Sequence, residues 1–320
     1  MSVIRSTLAV GNLATPFVSR RTFLASAAAL AALPLLPRPA RAVGRITVGD
    51  TEVVTVSDGT LTLPLSFIFP DAPQEELKAL LAANGMPTDA ATPDCNVTIA
   101  RMGDKVIAFD CGSGPNFMPT AGKLMENLAE AGVDPAEVTD VVFTHGHPDH
   151  LWGVIDDFDE PVFPEAAYHF PRTEWDIWRA DDTLAKIDEA RQTFVIGARN
   201  RMDAIEDKVT LFDAGAEVLP GVEAMATVGH TPGHTSFVLH SGSEALMVVG
   251  DAISNHVVSF AQPGWPSGSD HDPATGAETR KALLDRLAND KMRMIGYHMP
   301  HPGAGIVERD GAAYRYAPVS

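Results

Sequence analysis

Cysteine is nearly missing from this chain, with only Cys95 and Cys111 in 320 residues. That excludes a disulfide-stapled scaffold and a cysteine-rich metal module. The body of the chain also lacks an apolar run long enough to span a bilayer. Positive charge is scarce: 24 Lys and Arg stand against 42 Asp and Glu, for a net charge of −18. Five of the basic residues, Arg5, Arg20, Arg21, Arg38 and Arg41, fall in the first 42 positions, which hold no acid. Removing those five charges from −18 leaves −23 for the remainder. A surface that acidic repels nucleic acid and anionic lipid. The whole chain is 45% hydrophobic, enough for one large core.

The N-terminal arginines have a pattern. Ser19-Arg20-Arg21-Thr22-Phe23-Leu24 precedes an apolar, alanine-rich run to Leu36, and Ala40-Arg41-Ala42 is a small-x-small cleavage site. The segment resembles a twin-arginine export signal. Pro34, Pro37 and Pro39 argue against a plain amphipathic helix. Residues 1–42 are therefore read as a signal peptide and 43–320 as one domain. The mature chain is expected in the periplasm or secreted, with no membrane anchor after cleavage.

Ile46–Val56 alternates like one strand. Leu61–Pro70, broken by Pro64, reads as a loop and Gln74–Ala83 as a short helix. A hairpin is predicted over 96–102 and 105–110, turning at Gly103-Asp104. Strand parity then puts Cys95 and Cys111 on opposite faces, against a disulfide. Neither has a spacing that suggests a metal site. Thr120 is expected to cap a helix ending near Gly132, and Asp134-Pro135-Ala136-Glu137 to open another. Thr139–Thr144 reads as a strand, 166–170 as a strand and 172–206 as helical. Strands return at 208–212, 222–228, 235–240 and 245–250. Thr275-Gly276-Ala277-Glu278 looks like a capping box for a helix to Asn289, and 292–297 like a last strand. The pattern implies a layered α/β architecture, sheets inside and helices outside.

The chemistry gathers at His145-Gly146-His147-Pro148-Asp149-His150. Four ligand-type side chains follow directly on a strand. Imidazole and carboxylate suit zinc, and manganese, iron or cobalt also accept them. On extended chain His145 and His147 project alike and can reach one ion. Asp149 and His150 follow as the chain turns, toward a neighbouring ion.

HGHPDH resembles the H-x-H-x-D-H motif of the metallo-β-lactamase superfamily. Gly229-His230-Thr231-Pro232-Gly233-His234, Val248-Val249-Gly250-Asp251 and Ile295-Gly296-Tyr297-His298 resemble its later motifs, in order. Asp110 resembles an early strand-end aspartate that supports the site. The resemblance implies a four-layer αββα sandwich holding two divalent metal ions. It implies that His145, His147 and His234 hold the first metal, that Asp149, His150 and His298 hold the second, and that Asp251 bridges them. His230 is then supporting, and His301, beyond Pro300, a rim residue. The implied activity is hydrolysis by a metal-bound hydroxide, with Asp149 and Asp251 as the catalytic carboxylates. Such ions lower the pKa of water to about 7.

Ser57-Asp58-Gly59-Thr60, Leu219-Pro220-Gly221-Val222 and His298-Met299-Pro300-His301-Pro302-Gly303 are similar to the methyl parathion hydrolase branch. That likeness implies a small, neutral, apolar ester, lactone or phosphotriester as substrate. Leu151-Trp152-Gly153 departs from the branch. Phe67, Phe69, Phe117, Met118, Trp152, Trp175, Trp178, Phe260 and Trp265 are candidate pocket walls, Trp152 first among them. A β-lactamase-like or thioester hydrolase is the alternative within the fold, although a classical β-lactamase lacks the bridging aspartate. A non-catalytic exported metal-binding protein is the alternative of another class. The apolar loops 61–70 and 256–268 could form a homodimer face.

Overall fold

The computed structural model describes residues 42–319. The expected signal peptide, apart from Ala42, lies outside the described residues. Two seven-stranded sheets stack face to face. The first holds β1 (Val43–Val48), β2 (Thr51–Thr60), β5 (Asp94–Met102), β6 (Lys105–Phe109), β7 (Asp140–Val142), β8 (Ala167–Pro171) and β9 (Val209–Phe212), in that spatial order. The second holds β10 (Glu217–Leu219), β11 (Val222–Ala226), β12 (Thr235–Ser241), β13 (Glu244–Val248), β14 (Arg293–Ile295), β15 (Ala304–Asp310) and β16 (Ala313–Pro318). A two-residue ribbon, β3 (Leu63–Pro64) with β4 (Ala90–Ala91), stands apart.

Period-two alternation makes the layers. Ile107 and Phe109 of β6 meet Phe237 and Leu239 of β12 in the core between the sheets. The intervening Ala108 instead joins Val97, Ile99 and Val141 under the helices of the first sheet, which include 192–205. Val238, Met247 and Met294 face the helix Pro273–Asp290 on the far side of the second sheet. The architecture is the αββα sandwich.

Several local expectations change. The alternation of 46–56 runs through a tight turn: Gly49 at φ 54 lets Val48 pair with Thr51, giving a hairpin instead of one strand. Leu61–Pro70 contains β3 and a helical turn at Leu65–Ile68. The 172–206 segment breaks into Arg172–Arg179, Thr183–Lys186 and Gln192–Ile205. Thr120 is no cap, since its hydroxyl donates to the Thr60 carbonyl. Asp58 instead takes the Gly122 and Leu124 amides. The capping residue of the last long helix is Asp272, which accepts from the Thr275 amide. Asp134 opens only a single 3₁₀ turn.

Cys95 and Cys111 are buried and unbonded. Both belong to the core under the first sheet's helices, because β6 ends at Phe109 and Asp110 turns at φ 66. The opposite-face argument therefore does not hold.

Pairing directions decide where the site falls. β6 runs parallel to β7, and β13 to β14. Their carboxyl ends deliver Asp110, the 145–150 loop, Asp251 and His298 to one edge. β5 is antiparallel to β6, so its first residues, Asp94 and Cys95, begin at that same edge.

Candidate metal centre

His145, His147, Asp149, His150, His230, His234, Asp251 and His298 are all buried. Their hydrogen-bond partners assign the ring tautomers. The Thr144 hydroxyl donates to Asp110 Oδ2 at 2.8 Å. It must therefore accept from His145 Nδ1, 2.9 Å away, which leaves a lone pair on His145 Nε2. His230 Nδ1 donates to Asp270 Oδ1 at 3.1 Å, freeing its Nε2. His150 Nδ1 donates to Asp110 Oδ2 at 2.7 Å, and His298 Nδ1 to the Asp94 carbonyl at 2.8 Å. Both present Nε2 to the cluster.

His145 Nε2, His147 Nδ1 and His230 Nε2 converge, with 3.0 Å between the first two and 2.8 Å between the last two. With the His145 and His230 protons committed elsewhere, no protons remain on those two nitrogens to bind the group together. Three convergent imidazole nitrogens are a donor set for a cation.

His234 is oriented differently. Its Nε2 accepts the Asp251 amide at 2.9 Å. Its Nδ1 donates to Thr227 Oγ1 at 2.8 Å, which passes its own proton to Ser236, which donates to the Val249 carbonyl. Both ring nitrogens are used. It is His230, not the His234 expected for the first metal, whose ring nitrogen groups with His145 and His147 here. Gly250, at φ 55, makes the turn that aims the Asp251 amide at His234.

The other half of the cluster is carboxylate-rich. Asp251 lies 3.2 Å from His150 Nε2, 3.3 Å from His230 Nε2 and 3.1 Å from His298 Nε2. Asp149 Oδ2 lies 3.3 Å from His298 Nε2. Asp149 Oδ2, His150 Nε2 and Asp251 Oδ1 are buried without a properly oriented hydrogen bond. Three such orphaned atoms in one place fit a cation. Burial opposes ionisation of Asp251, yet His298, His150 and His230 hold it well below the carboxylate range. Burial would keep His150 neutral, but Asp251, Asp149 and Asp110 push it up to about 10. His298 rises likewise against burial, chiefly through Asp251. Burial, then neighbouring imidazoles, drive His145 and His147 well down. His145 and His147 are therefore neutral imidazoles, while the other half balances carboxylates with protons that a divalent cation would displace. His301, expected at the rim, donates from Nδ1 to Asn96 Oδ1 at 2.7 Å and lies outside the cluster.

Side chains with no sequence motif brace these loops. Glu174, fully buried, accepts from the Gly146 amide, the Gly233 amide, the Thr231 hydroxyl and Trp178 Nε1, at 2.5–3.0 Å. It ties the HGHPDH loop to the GHTPGH loop. Asp270 holds His230 while taking Arg280 at 3.1 Å. His147 Nε2 meets His271 Nε2 at 3.1 Å. A Cβ added at Gly146 would sit 2.4 Å from Trp178 Nε1. Gly146→Ala is thus expected to push the indole off Glu174 and cost about 1–3 kcal/mol of overpacking. A urea melt beside wild type measures this, and an unchanged midpoint would refute it.

A cavity of about 280 Å³ opens on the cluster, touching His147, Asp149, His230, Asp251 and His298. Phe67, Phe117 and Met118 line it as expected, with Leu61, Leu63, Ile68 and Phe194. Its other polar lining residues are Arg191, Ser254 and Ser269. Trp152 is not a wall. It packs edge-on behind Phe117, centroids 5.6 Å apart. Phe69, Trp175 and Phe260 are buried in packed cores, Trp178 borders a neighbouring cavity, and Trp265 packs beside the 65–83 segment.

The model of the metallo-beta-lactamase superfamily matches residues 92–298. Metallo-beta-lactamase domain-containing protein 1 of Xenopus laevis is 31% identical over 170 residues, covering 50% of this chain and 55% of that protein. This chain thus spans about half of that relative's length. AidC, a dizinc quorum-quenching lactonase solved with a product, superposes with a TM-score of 0.82 at 29% identity, covering 87% of this chain and 97% of AidC. The hydrolase AbOPH superposes at 0.83 with 25% identity, covering 88% and 99%.

Proposed function

The chain belongs to the metallo-β-lactamase superfamily, and from that premise we propose a dinuclear hydrolase of neutral lactones or esters carrying an apolar chain. The observation that carries this reading is the apolar cavity seated directly on the cluster. In the proposal His145, His147 and His230 would hold one metal and Asp149, His150 and His298 the other, with Asp251 available to both groups. Zinc suits the donors best. Two such ions supply an acidified water and polarise the scissile carbonyl.

The chain's own residues do the rest. Phe67, Phe117, Met118 and Phe194 take up the apolar part of the substrate and exclude water. Ser254, Ser269 and Arg191 are the polar groups outside the cluster that line that chamber and could meet a carbonyl or amide. Asp110 holds His150, and Asp270 holds His230, so the loops keep their shape through turnover. A lactonase resemblance to AidC supports this reading. The methyl parathion hydrolase-like alternative puts a tetrahedral phosphorus with three ester arms where the lactone or ester has a planar carbonyl carbon.

A panel of acyl homoserine lactone, aryl ester, phosphotriester and β-lactam, given to metal-replete protein, tests it. The lactone or the ester should turn over fastest. Each methylene buried from water contributes about 0.8 kcal/mol, so kcat/KM should rise roughly fourfold per added methylene until the cavity fills. Hydrolysis of the β-lactam alone, or no dependence on chain length, would overturn the proposal.

A further inference from the structure

The two cysteines of the chain look alike in sequence, but only one of them stands at the cluster. Cys95 Sγ, an Asp149 carboxylate oxygen and a His298 ring nitrogen lie within 4.8 Å of one another, all buried. Cys95 itself is 0% exposed. Asp149 Oδ2 is among the buried atoms without a hydrogen-bond partner. The start of β5 explains the placement: the Asp94 carbonyl fixes His298 Nδ1, so His298 Nε2 is turned toward Asp149, and the next residue brings its sulfur alongside. Cys111 belongs to no such group among the described residues.

We infer that Cys95 is a thiolate ligand of the metal ion held by Asp149, His150 and His298. The inference rests on the two-metal reading above. When the sulfur–metal bond forms, the thiol proton leaves to solvent and nothing is oxidised or reduced. The anion makes the loaded cluster one charge less positive than its aspartates alone would. It also biases that site: thiolate is a soft donor, favouring zinc, cobalt or iron over manganese or magnesium.

Cobalt-loaded full-length protein tests this without requiring any variant. Wild type holding two cobalt ions should show a near-ultraviolet thiolate-to-cobalt charge-transfer band. X-ray absorption of the zinc form should show a sulfur neighbour at roughly 2.3 Å. Cys95→Ser and Cys95→Ala should lose the band and bind the second equivalent on the order of 10–100-fold more weakly. Cys111→Ser should keep both. Two bound ions with no band and no sulfur neighbour, or a band that survives Cys95→Ala, would overturn the inference and leave the two-metal reading standing. Fewer than two ions in wild type would instead overturn that reading, and this inference with it.

Discussion

His230→Ala should bind one metal equivalent fewer than wild type and lose more activity than the roughly 10–100-fold that an outer partner of a metal site is worth. His234→Ala should keep both equivalents. The contrast follows from where two imidazoles of one GHTPGH loop send their lone pairs. His230 Nε2 stands 2.8 Å from His147 Nδ1 and 3.3 Å from Asp251, with its other nitrogen anchored on Asp270. Its removal opens the first donor triangle. His234 Nε2 instead receives the Asp251 amide. Its removal frees that amide, lets Asp251 drift and costs turnover within the outer-partner range. His234→Gln offers a carbonyl oxygen to the same amide and should recover part of the loss. Metal analysis after saturation and dialysis, read beside kcat, separates the two. Equal metal content in the two alanine variants would sink the assignment.

The two histidines of GHTPGH mark the limit of what motif spacing can show. HGHPDH was legible because its donors are contiguous and directly follow a strand, so local geometry alone brings them together. The choice between His230 and His234 was not. It depends on a backbone amide 17 residues further on, delivered by the left-handed turn at Gly250. Glu174, Asp270 and Asp58 carry no motif, because a carboxylate becomes a brace only when folding buries it among donors. Cys95 is of the same kind: its nearness to His298 comes from β5 being antiparallel to β6 and so starting at the edge where the cluster lies, which no spacing of two cysteines reveals. The sheets were easier, since alternation reports burial on two faces. Alternation does not report turns, which is how the β1–β2 hairpin passed for one strand. The β15–β16 hairpin did leave a signal, Asp310-Gly311 before the alternating Tyr314 and Tyr316, and went unread.

Glu174 is where the second large effect is expected. Glu174→Ala should destabilise the fold by several kcal/mol, because it strands four donors in a dry interior, each worth about 1–3 kcal/mol when unpaired. The sum is not strictly additive, but it is a large share of the roughly 5–15 kcal/mol that holds a domain together. Glu174→Gln is milder. Its carbonyl oxygen can serve the Gly146 amide and Trp178, and its amide can donate to a turned Thr231 hydroxyl, so only the Gly233 amide is left unpaired. The two variants also differ from wild type in pH response. Burial raises the Glu174 pKa above 4.5, with the four donors pulling the other way. A carboxyl raised by folding contributes stability that is complete below its unfolded pKa and is lost as pH rises to its folded one. Glutamine has no such loss. The deficit of Glu174→Gln relative to wild type should therefore be largest in acid and shrink as pH climbs from about 4.5 through the raised value. Urea melts of both proteins across that range measure it. A deficit that grows with pH would mean the donors outweigh burial and hold Glu174 ionised, so that its charge, not only its shape, clamps the two metal loops together.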